Sequence, residues 1–399
     1  MRWVLYVFAI VVLGSFAAQA QNRADTLVVV NWNLEWWGSG SPLNASQQVS
    51  RTQSLISSIG ADIYAMEEIV NTDSFANMVG RLPGGPWSYV ISQYGSLATS
   101  PSSSKYASAQ KLALLYRTSV LRNVSARAFL KANSYAYDDF ASGRYPFLVQ
   151  GEVRGRDSIW RPLSFIVLHA KADGDASSCS RREDGNYIMK DTLDNRMPNE
   201  RFLLLGDFND DLIGTICTGA TTSTYASFVA DTTDAVSYRC LTLPLSRAGE
   251  YSIDGYSHLI DHVIASDEMA QAYVKGSARS LRTFVKGIYS NYAYTVSDHY
   301  PIQTKYVLDA GTLAVADATP ISSHFRVVPN PASGTITIQG AGTLSRWTVL
   351  DATGRVVLNG SASGFPVQLN ISSLAPGAYV VQAIKADGTV ESQLLIHQP

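Results

Sequence analysis

The chain has 399 residues, enough for two or more domains of ordinary size, and its 46% hydrophobic and 16% charged residues are those of a globular rather than a disordered protein. A formal net charge of −2 excludes a chain drawn to polyphosphate by its bulk field, so any grip on a polyanion must come from local groups.

Residues 1–20 read as a cleaved secretory signal, with Met1-Arg2 as the positive start, Val4 to Leu13 as the apolar run and Ala18-Gln19-Ala20 as the small-x-small site. That run is short for a bilayer span and no later segment is apolar enough, so the expectation is an exported chain with no transmembrane segment. Next, Thr26 to Trp37 (T-L-V-V-V-N-W-N-L-E-W-W) is a β-branched strand that delivers Asn33. Ala61 to Ile69 delivers Glu68, and strand parity turns Glu67 to the opposite face. Gln110 to Arg117 is an apolar strand, and Phe165 to Lys171 is another, ending on His169. A mixed-charge stretch over 180–193 is helix-compatible and reads as a solvated face.

Leu203 to Asn209 (L-L-L-G-D-F-N) carries the strongest single signal. Alternation points Asp207 and Asn209 the same way at a strand end, with Phe208 packed opposite. A carboxylate and a carboxamide aimed at one point suit a hydrated hard cation or an attacking water. Downstream, I-D-H-V delivers Asp261 and S-D-H-Y-P delivers Asp298 and His299. Imidazole is the side chain whose ordinary pKa lies near neutrality, so His169 and His299 suit proton transfer. Singly, each signature also reads as an Asx turn or a hydrogen-bonded structural histidine; together, at strand ends, they read as a site. The aromatics Trp36, Trp37 and Tyr94 stand near the same loops, where they suit base stacking, with core packing or loop anchoring an equal reading for the tryptophans.

Beyond residue 308 the character changes. Residues 309–324 are small and aperiodic, a linker, and 325–399 is a run of short alternating strands separated by turns, an all-β sandwich. Trp347 and Tyr379 are its only Trp or Tyr, which argues against a carbohydrate-binding or adhesive module.

In order, W-N-L-E-W, A-M-E-E-I, L-H-A-K-A, L-G-D-F-N-D, I-D-H-V and S-D-H-Y-P resemble the endonuclease/exonuclease/phosphatase superfamily, the deoxyribonuclease I-like fold, over roughly 25–308. Q-K-L-A-L-L-Y-R and G-R-Y-P-F resemble two further family segments. The resemblance implies an α/β, four-layer α-β-β-α sandwich as the catalytic domain (21–308), ahead of the small β-sandwich. It implies a metal-dependent phosphoric ester hydrolase: a nuclease acting on DNA or RNA, with a phosphatase or phospholipid phosphodiesterase as the alternative and a non-catalytic binding protein as the third reading. Leu259-Ile260-Asp261-His262 lacks the W-C-D-R segment of inositol-phosphate phosphatases, which counts against that branch. By the same resemblance, Asn33, Glu68 and Asp298 hold Mg²⁺ or Mn²⁺, with Ca²⁺ as a further, structural ion. His169, Asp207, Asn209, Asp261 and His299 are catalytic, and Arg144 meets the substrate phosphate. A nucleic acid is the expected partner of a monomeric enzyme.

Gln110 departs from the family pattern, which has a glutamate there paired with the first histidine; an amide beside His169 would orient it without stabilising its charged form. Three cysteines permit one disulfide, and Cys217 with Cys240, which bracket the loops after G-D-F-N where related nucleases carry a disulfide, is the favoured pair. With no C-x-x-C, a structural zinc is not expected. The wording V-P-N-P-A-S-G, L-D-A-T-G-R-V-V and L-A-P-G-A-Y-V-V resembles the C-terminal sorting domain of the type IX (Por) secretion system. It implies that machinery as a partner and a secreted or cell-surface location, although the usual basic ending is absent.

Overall fold

Twelve strands of the first unit build two sheets, and their alternation decides what each face buries. The computed structural model describes residues 26–97, 102–233, 236–309, 325–340, 343–351, 355–385 and 390–398. The expected signal (1–20) and linker residues 310–324 lie outside them. In chain order the strands are β1 (Leu27–Trp37), β2 (Ile63–Ile69), β3 (Trp87–Gly95), β4 (Lys111–Arg117), β5 (Leu121–Ala128), β6 (Phe147–Arg154), β7 (Trp160–His169), β8 (Phe202–Asp207), β9 (Tyr238–Cys240), β10 (Asp261–Ser266), β11 (Arg279–Ser280) and β12 (Ile302–Tyr306). One sheet has the order β11-β12-β1-β2-β4-β3 and the other β5-β6-β7-β8-β10-β9. Each contains one parallel pair, β1 with β2 and β7 with β8.

Val29, Ile63, Ala65, Leu112 and Leu114 of the first sheet meet Val149, Phe165, Val167, Leu205 and Val263 of the second in the central core. The residues of opposite parity form two outer cores. Val30, Trp32, Tyr64 and Met66 pack under α1 (Ala45–Ile59) and α2 (Thr72–Val79), and Ile166, Leu168, Leu204 and Ile264 pack under α3 (Ala136–Asp139) and α4 (Ala176–Arg196). The result is the expected four-layer α-β-β-α sandwich. Asn44, Asn71 and Asp175 cap α1, α2 and α4 by accepting first-turn N–H groups. The Asp175 cap starts α4 earlier than the charge pattern alone indicates.

The disulfide joins Cys179 to Cys217, not Cys217 to Cys240. Cys179 lies in the first turn of α4, and the loop after β8 folds back on it, Thr218 N–H donating to the Gly174 carbonyl at 2.8 Å. Cys240, on β9, points into the outer core of the second sheet and is a buried free thiol. Spacing along the chain could not reveal which way that loop folds.

The second unit, residues 315–399, contains β13 (Phe325–Val328), β14 (Thr335–Gly340), β15 (Leu344–Leu350), β16 (Val356–Ser361), β17 (Val367–Asn370), β18 (Gly377–Lys385) and β19 (Val390–His397). They form antiparallel sheets β13-β14-β17 and β16-β15-β18-β19 around Phe325, Ile336, Ile338, Val349, Val381 and Leu395.

Candidate active site

At one end of the first unit the inner faces of both sheets turn from apolar to polar. By strand parity, Asn33 follows Val29 on β1, Glu67 follows Ala65 on β2, His169 follows Val167 on β7, Asp207 follows Leu205 on β8, and Asp261 precedes Val263 on β10. The strand registers align them, Asn33 opposite Glu67, His169 opposite Asp207 and Asp261 opposite Asp207. Asn33 Nδ2 donates across the gap between sheets to Asp207 Oδ2 at 2.9 Å. Gly206 permits the close pairing beneath: a Cβ there, at φ +153°, would lie 1.8 Å from the Leu168 carbonyl oxygen.

Parity alone would send Glu68 to the outer face. A left-handed backbone at Glu68 (φ 63°) breaks the alternation and swings its carboxylate into the site, where it accepts from Asn33 Nδ2 at 3.2 Å and from the Trp36 N–H at 2.8 Å. Glu67, expected to face away, lies instead on the inner face beneath the cluster. Neither of its carboxylate oxygens has a hydrogen-bond partner among the described residues. Burial, reinforced by Asp261 and Asp207, raises its pKa well above the carboxylate range, so it is neutral.

The two imidazoles have opposite electrostatics. For His299, burial disfavours the charged ring, but Asp261 Oδ2 at 2.7 Å from Nδ1, together with Asp207 and Asp298, holds its pKa well above the ordinary value. For His169, burial and then the Arg144 guanidinium and His299 push the pKa well below it. His169 Nε2 lies 3.3 Å from Asp207 Oδ2 and 3.7 Å from Glu68 Oε1, and His299 Nε2 lies 3.8 Å from Asp207 Oδ2. Burial is the main cause that raises Asp207 to about 7, although His299 opposes it and the Asn209 N–H and Asn33 amide also favour its charged form. Asn209, left-handed at φ 50°, turns its Nδ2 to the Ala170 carbonyl at 3.3 Å.

Arg144, expected at the substrate phosphate, is buried and holds protein groups instead. Its Nε donates to the His169 carbonyl (2.9 Å), Nη2 to the Ala170 carbonyl (2.8 Å), and Nη1 to Gln110 Oε1 (2.5 Å) and Ser96 Oγ (3.1 Å). Gln110 therefore supports Arg144, not His169, whose Nδ1 has no hydrogen-bond partner among the described residues. The physical reason is reach: the Gln110 amide lies on the guanidinium that fastens the end of β7. His262 is likewise structural, with Nδ1 on Thr242 Oγ1 and Nε2 on the Asp210 carbonyl, and its ring is edge-on to Phe208.

Two supporting groups, Ser297 and Tyr292, escape sequence reasoning, whereas Glu35 stands out in the sequence as a further acid near the site. Ser297 Oγ donates to the Asn33 carbonyl and accepts the His299 N–H, and Tyr292 OH donates to the His299 carbonyl while accepting from Trp32 Nε1. Glu35 accepts the Asp298 N–H at 2.9 Å; burial first, then Asp298, raises its pKa to about 7. Nothing in the local pattern marks Ser297 or Tyr292, since both act across more than one element.

Among the described residues no group of three or more His, Cys, Asp or Glu forms a metal cage, whether for a catalytic ion or for the expected structural Ca²⁺. The donor set does fit a hydrated cation, because Glu68 stands at the mouth of the site and Asp298 Oδ1 has no hydrogen-bond partner among the described residues. Mg²⁺ typically takes one or two carboxylates and keeps several waters.

The endonuclease/exonuclease/phosphatase family model matches residues 30–299. The chain belongs to that family. A second model, the secretion system C-terminal sorting domain, matches residues 326–397, so this member of the family is exported by type IX secretion to the cell surface or the extracellular space. Among the described residues no helix is long and apolar enough to cross a membrane. Among solved structures, an endonuclease/exonuclease/phosphatase protein from Beutenbergia cavernae is similar at TM-score 0.52 and 13% identity, covering 93% of this chain and 100% of its own. The human Nocturnin catalytic domain with bound sulfate gives TM-score 0.48 and 15% identity, over 71% and 95% of the two chains. A Bacteroides thetaiotaomicron mannosyl-6-phosphatase gives 0.44 and 14%, over 71% and 100%. No curated protein matches. As a member of this family the chain is a phosphoric ester hydrolase, of a family generally dependent on divalent metal.

Proposed function

We propose that this family member is an exported metal-dependent nuclease, hydrolysing phosphodiester bonds of DNA or RNA by attack of water. The observation that carries the reading is the convergence of Asn33, Glu68, His169, Asp207 and His299 from both sheets, each within 4 Å of another. Glu68, with Asp298 and Asn33, would hold Mg²⁺ or Mn²⁺, which when bound neutralises charge on the phosphate and the leaving oxygen. Asp207, oriented by the Asn33 amide and the Asn209 N–H, accepts the proton of the attacking water, and its pKa of about 7 matches that task. His299, kept as imidazolium by Asp261, stabilises the charge that develops on a non-bridging oxygen. His169 remains neutral and donates through Nε2–H toward the same region, with Asn209 beside it. Arg144 positions His169 by fastening its carbonyl.

Purified protein incubated with plasmid DNA, RNA, sphingomyelin and inositol phosphates, with and without EDTA, tests the reading. Nucleic acid should be cut and EDTA should stop it. Metal-dependent release of phosphate from monoesters alone would favour the phosphatase reading.

A further inference from the structure

We propose that the cleft beside Trp36 receives an unpaired base of a single-stranded nucleic acid, stacked on the indole next to the scissile phosphate; this rests on the nuclease reading and deepens it. The cleft has a volume of about 820 Å³, and Trp36, Ser39, Asn71, Thr72, Asp73 and Ser108 are among its lining. It adjoins the chemistry directly, because the Trp36 N–H is bonded to Glu68 Oε2.

Two neighbouring tryptophans show the difference between anchoring and presentation. Trp37 is fully buried, with Nε1 on Thr52 Oγ1 at 3.1 Å and its ring edge-on to Phe75. Trp36 is 43% exposed, at φ 49°, a left-handed conformation that bulky side chains rarely adopt, and Glu35 before it is left-handed too. A backbone held in that form, with the largest apolar side chain turned toward an open cleft, is built to present a ring.

The rest of the lining decides what the ring receives. None of the described lining residues is Lys, Arg or His, and Asp73 is the only charged one, so a phosphate is not retained there. Hydroxyls, an amide and one carboxylate around an indole suit a flat, uncharged ring with hydrogen-bonding edges. With Arg144 committed to carbonyls and a net charge of −2, the grip on a strand falls to stacking. A base inside a duplex is already stacked on both sides and reaches the indole only if extruded. The preference is therefore for single strands.

The test measures kcat/KM of the full chain with Mg²⁺ on a dinucleoside monophosphate, on its analogues lacking one base, and on an oligonucleotide single-stranded or in duplex, for wild type, Trp36→Phe and Trp36→Asn. Asparagine tolerates the left-handed backbone, so Trp36→Asn removes the ring without new strain. The intact dinucleotide should exceed one base-lacking analogue by about 5- to 100-fold, the range one base stack carries, and Trp36→Asn should collapse that ratio mainly through KM, with Trp36→Phe restoring part of it. Single strands should be cut faster than duplex. A ratio within twofold of wild type in Trp36→Asn, or no preference for the intact dinucleotide, overturns the proposal while leaving the nuclease reading intact. Wild type that cuts none of these yet hydrolyses sugar phosphates overturns the nuclease reading and the proposal with it.

Discussion

Replacing Asp261 by Asn tests the electrostatics of the site at one atom. Asp261 Oδ2 lies 2.7 Å from His299 Nδ1, and the two side chains are 1% and 7% exposed. A hydrogen bond to a charged group is worth about 1.5–3 kcal/mol, and solvent screens this one little. Losing the carboxylate charge while keeping an acceptor should lower the His299 pKa, because Asp261 is the main group that favours the charged ring against burial. If the imidazolium is the active form, the basic limb of the kcat/KM profile moves down with it. Turnover then falls about 10- to 100-fold on the alkaline side and recovers toward lower pH. The acid limb, set by Asp207 having to lose its proton, should move far less. Stability follows the same sign: a histidine whose folded pKa is raised stabilises the fold fully below its unfolded pKa, and that contribution disappears as pH rises through the raised value. The variant should therefore lose stability at low pH relative to wild type and converge with it at high pH. Profiles at saturating Mg²⁺, with an NMR titration of the imidazole, provide the readout. A basic limb unmoved by Asp261→Asn would refute the assignment of His299 as a cation.

Glu68→Ala should reduce turnover by at least about 10²-fold with weaker metal binding by calorimetry. Glu67→Gln, which keeps the volume of a buried neutral acid, should stay within a few-fold of wild type; equal losses in both would contradict the division of roles. Arg144→Lys should lower kcat more than it raises KM, because the residue positions His169; a KM effect alone would return Arg144 to the phosphate. Cys179–Cys217 closes a separation of 38 residues, for which chain entropy implies about 4 kcal/mol, so reductant should lower the Tm of wild type but not of the Cys179→Ser/Cys217→Ser double variant. Reductant sensitivity that follows Cys240 instead would show a different pairing in solution. Ending the chain after Asp309 should leave hydrolysis in solution and abolish export in the secreting host, checked by activity in the medium.

What the sequence determined by itself was local. Apolar alternation places Asn33, His169, Asp207 and Asp261 at strand ends on inward-facing positions, because side-chain direction along a strand depends only on parity. The same alternation marks the C-terminal β-sandwich, whose strands 335–340 and 377–385 fall where the turns permit. Tertiary structure decided the rest. Parity was a poor guide at Glu67 and Glu68, since the left-handed residue that brings Glu68 into the site is held by the N–H of Trp36, 32 residues away. Arg144 and Gln110 look like a phosphate ligand and a histidine partner in sequence, yet their hydrogen bonds go to each other and to carbonyls that only folding brings within reach. Cys179 meets Cys217 because the loop after β8 turns back over α4, a choice no spacing records. Periodicity belongs to one segment of chain; left-handed turns, loop closure and the spending of donors depend on neighbours contributed from far along it.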